Sequence, residues 1–132
     1  MKYFTLKELC KSSTAEKYGI LNDCPPECKQ ALTDLIGNVL DPLREAWGKP
    51  IRVNSGYRCA ELNRKVGGAA TSQHLKGEAA DITAGSVAEN KKLFEMAQSL
   101  KLPFDQLIDE KKFSWVHISH HNGNNRQQVL HL

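Results

Sequence analysis

The chain has 132 residues, 40% of them hydrophobic and 25% charged, the size and balance of one ordinary domain with its own core and not of a disordered tail. Eighteen Lys and Arg against 15 Asp and Glu leave a formal net charge of +3 with no run of like charge. That gives nucleic-acid binding no support, although it suits a polyanionic surface. Apolar runs are only a few residues long, far short of the roughly 20 that span a bilayer, so no membrane-spanning segment is expected.

Met1 to Ile20 is interrupted by Lys7, Glu8, Lys11, Glu16 and Lys17 and holds no apolar segment of about 7–15 residues such as a secretory signal needs. Synthesis in the cytoplasm without signal-directed export is the expectation. Four cysteines occur, Cys10, Cys24, Cys28 and Cys59. Free thiols are the reading for such a product. A structural cysteine–zinc site is the competing one, although Cys24 and Cys28, four apart, fit neither a C-x-x-C pair nor a zinc-knuckle spacing.

Thr5 with Glu8 and Ser13 with Glu16 have capping-box spacing and predict two short helices, the second stopped by Gly19. Pro25-Pro26 opens a longer helix whose apolar stripe runs from Cys28 through Leu32, Leu35, Ile36, Val39, Leu40 and Leu43 to Trp47. Pro42 falls inside it and predicts a kink or a break. Ile51 to Asn54 alternates like a strand, Ala60 to Val66 reads as a short helix, and Ala79 to Thr83 as a second strand. Ser86 with Glu89 caps a helix buried through Leu93, Phe94, Ala97 and Leu100. Gln106 to Asp109 and Trp115 to Ser119 read as a hairpin with Lys111 to Phe113 at its turn, and Arg126 to Leu130 as an edge strand. Helices first and a mostly antiparallel sheet afterwards make the class α+β.

Strand alternation places the chemistry. In Trp115-Val116-His117-Ile118-Ser119, Val116 and Ile118 claim the core face and turn His117 outward; in Ala79 to Thr83, Ala80 and Ile82 do the same for Asp81. His74 precedes Asp81 across a loop that Gly77 lets turn tightly. Two imidazoles and a carboxylate on the open side of a sheet suit Zn²⁺ with a position left for water. A surface histidine and a strand-end aspartate bonded to loop amides would leave the same pattern. His120, His121 and His131 read as surface histidines, with His121 a candidate outer partner of a ligand.

Ser72 to Asp81, reading SQHLKGEAAD, matches the S-x-H-x-x-G-x-A-x-D motif of the zinc D-Ala-D-Ala carboxypeptidases. Ser55-Gly56-Tyr57-Arg58 with Asn63 resembles that family's S-G-Y-R…N segment, and Trp115-Val116-His117 its W-x-H segment, in the same order across about Leu40 to Ser119. The family includes the L-alanyl-D-glutamate endopeptidases of phage endolysins, on the Hedgehog/DD-peptidase fold. The resemblance implies a single zinc peptidase domain over residues 1–132, of α+β Hedgehog/DD-peptidase-like fold with N-terminal helices on a small mostly antiparallel sheet.

It implies one catalytic Zn²⁺ on His74, Asp81 and His117, activating water against an amide of the peptidoglycan stem peptide or cross-link. Arg58 would hold a substrate carboxylate or polarised carbonyl, the competing role being a structural tie between loop and sheet. Ser72 would bond substrate backbone or orient the loop, and Trp115 would line the cleft. The pattern breaks at the general base. Many family members carry an acid three positions before the last histidine, where this chain has Ser114. Glu110 and Asp109 are the candidates, on opposite faces of the preceding strand; a two-residue turn at Lys112-Phe113 selects Glu110, a three-residue turn Asp109. A monomeric lysis enzyme of a phage or prophage, reaching the wall through a separate pore or by other release, fits this reading. The alternative, motivated by Ser114, is a non-catalytic zinc-containing wall-binding or virion module.

Overall fold

The structure is a computed structural model that describes residues 1–132. Thr5 Oγ accepts the Glu8 N–H and starts α1 (Leu6–Cys10). At α2 (Ser13–Tyr18) the cap is Ser12 and not the expected Ser13: the Ser12 hydroxyl takes the Ala15 N–H, the third of the helix, so the apparent Ser13–Glu16 box is one residue out of phase. α3 (Pro26–Leu35) opens on its proline and runs through a π-helical turn, Ile36–Leu40, into α4 (Asp41–Trp47).

Pro42 therefore neither divides nor ends this helical run. Its ring would crowd the carbonyl one turn back and it offers no N–H. The wider turn just before it makes room, with Asp41 N–H donating five residues back to Ile36 O. Leu32, Leu35, Ile36, Val39, Leu40 and Leu43 all stay on the buried side.

The remaining elements are β1 (Arg52–Ser55), α5 (Ala60–Lys65), β2 (Ala79–Thr83), α6 (Val87–Ser99), β3 (Gln106–Glu110), β4 (Trp115–Ser119) and β5 (Gln128–His131). The sheet order is β1-β2-β4-β3-β5, antiparallel throughout except where β5 runs parallel to β3. The class is α+β, as expected. Ala80, Ile82, Leu107, Val116 and Ile118 turn one face of the sheet into a core shared with the helices. Asp81, Ile108, Glu110, Trp115 and His117 line a cleft on the other face.

Two buried polar residues secure the ends of this sheet. Asn90, on α6 and 1% exposed, accepts from Ala84 N and Thr83 Oγ1 at 2.6 and 3.2 Å and donates to Phe113 O at 2.9 Å. It thereby ties the end of β2 to the β3–β4 turn, where Lys111, Lys112 and Phe113 all take positive φ. Asp105, 2% exposed, accepts from the backbone N, Nε and Nη2 of Arg126 at 2.8–3.0 Å and fastens the approach to β5. The Arg126 hydrogen bond, opposed only by burial, holds the Asp105 carboxyl well below the usual carboxylate range. No helix is long and apolar enough to cross a membrane.

Asn90→Ala strands the Ala84 amide and the Phe113 and Ser114 carbonyls and should cost about 2 kcal/mol in urea denaturation, whereas Ser99→Ala on the exposed face should stay within about 0.5 kcal/mol. Because the Asp105 carboxyl is depressed in the folded state, its contribution is present above the ordinary carboxylate pKa of about 4 and fades as pH falls below that. Acid titration of stability should therefore show a shallower loss below about pH 4 in Asp105→Asn than in the wild type.

Candidate metal centre

His74 is placed by a close approach of three segments. Ser72 Oγ accepts the His74 N–H at 3.2 Å and starts a 3₁₀ turn, Gln73–Lys76. Gly77 ends that turn at φ 74° with its α-carbon so near α3 that a Cβ would sit 2.5 Å from Cys28 O. From below, Gly56 brings its backbone against α1: Tyr57 N donates to Leu9 O at 2.8 Å, and a Cβ on Gly56 would collide with that same carbonyl. The Gly56 carbonyl is thereby free to meet His74 Nδ1 at 2.7 Å.

That contact settles the tautomer. A carbonyl only accepts, so Nδ1 carries the hydrogen and Nε2 of the neutral ring presents a lone pair. His74 Nε2 is buried and makes no hydrogen bond, although it lies 3.3 Å from Asp81 Oδ1. The same Oδ1 lies 3.0 Å from His117 Nδ1, across the directly opposed Asp81–His117 pair of β2 and β4. The two rings meet edge to face, 5.1 Å between centroids. Burial opposes a charge on Asp81, but its contacts with the imidazoles, the His117 hydrogen bond foremost, outweigh this and hold the carboxyl well below the usual range.

An unprotonated nitrogen facing a carboxylate oxygen is a repulsive pair that a divalent cation between them turns attractive. These three residues are the only group of His, Cys, Asp or Glu donors with all ligand atoms within 4.8 Å. Two imidazoles and one carboxylate fit a zinc-type ion and leave a coordination position for a further ligand.

Arg58 crosses behind Asp81. Its Nη2 lies 3.5 Å from Asp81 Oδ2, Nε donates to Ser55 Oγ at 3.1 Å and Nη1 to Asn63 Oδ1 at 2.9 Å. Asn63, 3% exposed, in turn donates to Ala69 O at 2.9 Å. Ser55, Arg58 and Asn63 of the S-G-Y-R…N segment are thus one hydrogen-bonded unit, so Arg58 is a structural tie and also a cleft-lining cation. Burial lowers the Arg58 pKa and the Asp81 charge opposes that.

The cleft has a volume of about 640 Å³ and is walled by residues 66–74 on one side and by β3 and β4 on the other. Glu110 pairs with Trp115 and lines it, together with Ser72 and Trp115. Asp109 falls on the opposite face, where Oδ1 accepts Phe113 N and Oδ2 contacts His131 at 3.1 Å.

Gln73 and Arg126 also line the cleft, and neither was singled out from the sequence. Gln73 occupies a free position of its motif, and its Oε1 is a buried acceptor without a partner. His120 is buried (8% exposed) and not at the surface, because the chain beyond β4 keeps pairing as His120 N donates to Glu78 O. His121 approaches Asp105 and not the three donors, so it is no outer partner of a ligand. The four cysteines are free thiols. Burial, then the neighbouring Cys10, pushes the Cys24 thiol up to about 12.

Residues 2–119 match the Peptidase M15 family, and the chain belongs to it. Over 48 residues it is 52% identical to the zinc D-Ala-D-Ala carboxypeptidase of Streptomyces albus G, a stretch covering 36% of this chain and 19% of that protein. Calorimetric titration with zinc should give one tight site per chain. His74→Ala and Asp81→Asn should each weaken it by more than the roughly 10–100-fold typical of changes to groups that only orient a ligand.

Proposed function

We propose that this chain is a zinc peptidase that hydrolyses an amide adjoining a D-residue in the peptidoglycan stem peptide or cross-link, acting at the cell wall. The observation that carries the proposal is the His74 lone pair set against the Asp81 carboxylate beside His117. Family membership and the carboxypeptidase relative support the reaction class, and the Hedgehog/DD-peptidase-like arrangement belongs to the same reading. Zn²⁺ held by His74 Nε2, Asp81 and His117 Nδ1 would supply Lewis acidity toward the scissile carbonyl and bring the pKa of a water molecule toward neutrality.

The chain's own residues do the rest. Glu110 shares the face of His117 two residues along the adjoining strand and is the carboxylate placed to take the proton of the attacking water and pass it to the leaving amine. Arg58, held by Ser55 and Asn63, presents a fixed guanidinium to a substrate carbonyl or carboxylate. The Ser72 hydroxyl orients the His74 turn, and Trp115 gives the peptide an apolar wall. Asp109 is spent on the hairpin turn and has no role in proton transfer.

Incubation of zinc-loaded protein with purified sacculi should release muropeptides with new amine and carboxylate termini. Glu110→Gln should lower that rate by about 100-fold or more with zinc retained, while Asp109→Asn should keep the chemistry and lose stability. Binding to sacculi with zinc present and no new termini would contradict the peptidase reading and favour a non-catalytic wall-binding module, as would a Glu110→Gln protein of undiminished rate contradict the role of Glu110.

A further inference from the structure

The cleft contains a second guanidinium besides Arg58. Arg126 lines it from the segment leading into β5, beyond the residues that match the family. Its Nε and Nη2 are taken by the buried Asp105, which fixes the plane of the fork from behind. Nη1 has no protein partner, and the side chain is 57% exposed. A guanidinium has five N–H donors, so this pairing leaves three for a ligand. Gln106 stands beside it, its amide oriented by a 2.8 Å bond to Gln128. The cleft's two carboxylates lie elsewhere: Asp81 faces Arg58, and Glu110 is at the far end of β3 from Gln106.

Building on the peptidase reading, we propose that Arg126 is a specificity residue that anchors a carboxylate of the stem peptide about three residues from the scissile bond. The spacing follows from the sheet. β5 is two strands from β4, which carries His117, so the backbone entering β5, where Arg126 stands, is about 10 Å across from β4 at roughly 4.8 Å per strand. An extended peptide rising about 3.3 Å per residue covers that span in roughly three residues. A stem peptide linked through the γ-carboxyl of a D-glutamyl residue carries a free α-carboxylate along its length, and a pre-oriented guanidinium edge recognises that group by charge-assisted hydrogen bonds. Asp105 serves as the positioning residue: it spends its own charge holding the fork and leaves the open edge of Arg126 toward the cleft.

The test uses two synthetic stem pentapeptides that differ only in this group, one with the free D-glutamyl α-carboxylate and one with the carboxamide. Binding is measured by calorimetry on the zinc-loaded Glu110→Gln protein, which limits turnover, and KM and kcat are measured on the wild type. The carboxylate peptide should bind about tenfold more tightly than the carboxamide. Arg126→Gln should abolish that preference by weakening only the carboxylate peptide, and should raise KM with kcat changed by less than about threefold. Arg126→Lys keeps the charge without the fork, covers the case in which the Gln variant fails to fold, and should also lose most of the preference.

Equal affinity of the two peptides for the unsubstituted cleft, or a preference that survives Arg126→Lys, would overturn the assignment, as would an equal loss for both peptides in a folded Arg126→Gln. A protein that shows the preference but cleaves nothing would contradict the peptidase reading and leave the Arg126 assignment standing. One that cleaves both peptides with equal KM would do the reverse.

Discussion

The hydrogen bond from His74 Nδ1 to the Gly56 carbonyl sets the character of the cleft. It puts the hydrogen of the neutral ring on Nδ1 and turns Nε2 toward Asp81. The bond exists only because Gly56 packs its backbone onto Leu9, which in turn needs the Thr5-capped first helix in place. A helix with no catalytic side chain of its own is therefore coupled to the metal centre through two backbone carbonyls. Gly77 does the corresponding work on the other side of the turn, letting it rest against Cys28 on α3.

The second constraint is antiparallel register. Asp81 and His117 lie directly opposite on β2 and β4, so a one-residue slip in that pair would send one donor into the core. The β3–β4 turn fixes Glu110 opposite Trp115 in the same way. Asp109 and Asn90 hold that turn in its positive-φ conformation from the buried side, which is why an acid adjoining Glu110 in sequence serves packing instead of the cleft. The sheet thus divides its labour by face: Ala80, Ile82, Val116 and Ile118 pay for folding with burial, and the alternate positions are left for polar chemistry.

Much of this was legible from local pattern. Period-two alternation places Asp81 and His117 on the open face, whereas the turn-length argument leaves Glu110 and Asp109 both open until the Glu110–Trp115 register decides between their faces. What was not legible depended on distant partners. The Ser12 cap escaped because Ser13 offered the same spacing one residue later. The passage of a helix through Pro42 required a π-turn that no propensity announces. His120 looked like one more polar residue after a strand, but a backbone bond to Glu78 continues the pairing and buries it. Gln73 and Arg126 carry no motif signal, since one fills a free position and the other depends on a buried aspartate 21 residues away.

The His74–Asp81–His117 group offers a zinc ion nitrogen and oxygen donors only, and the scattering of the bound metal tells these from cysteine sulfur. X-ray absorption at the zinc edge of the stoichiometrically loaded protein is the most direct test of the account. It should show only nitrogen and oxygen neighbours at about 2.0–2.2 Å, with two imidazole signatures and one neighbour supplied by solvent. A sulfur shell at about 2.3 Å, or four protein ligands with no exchangeable position, would contradict it.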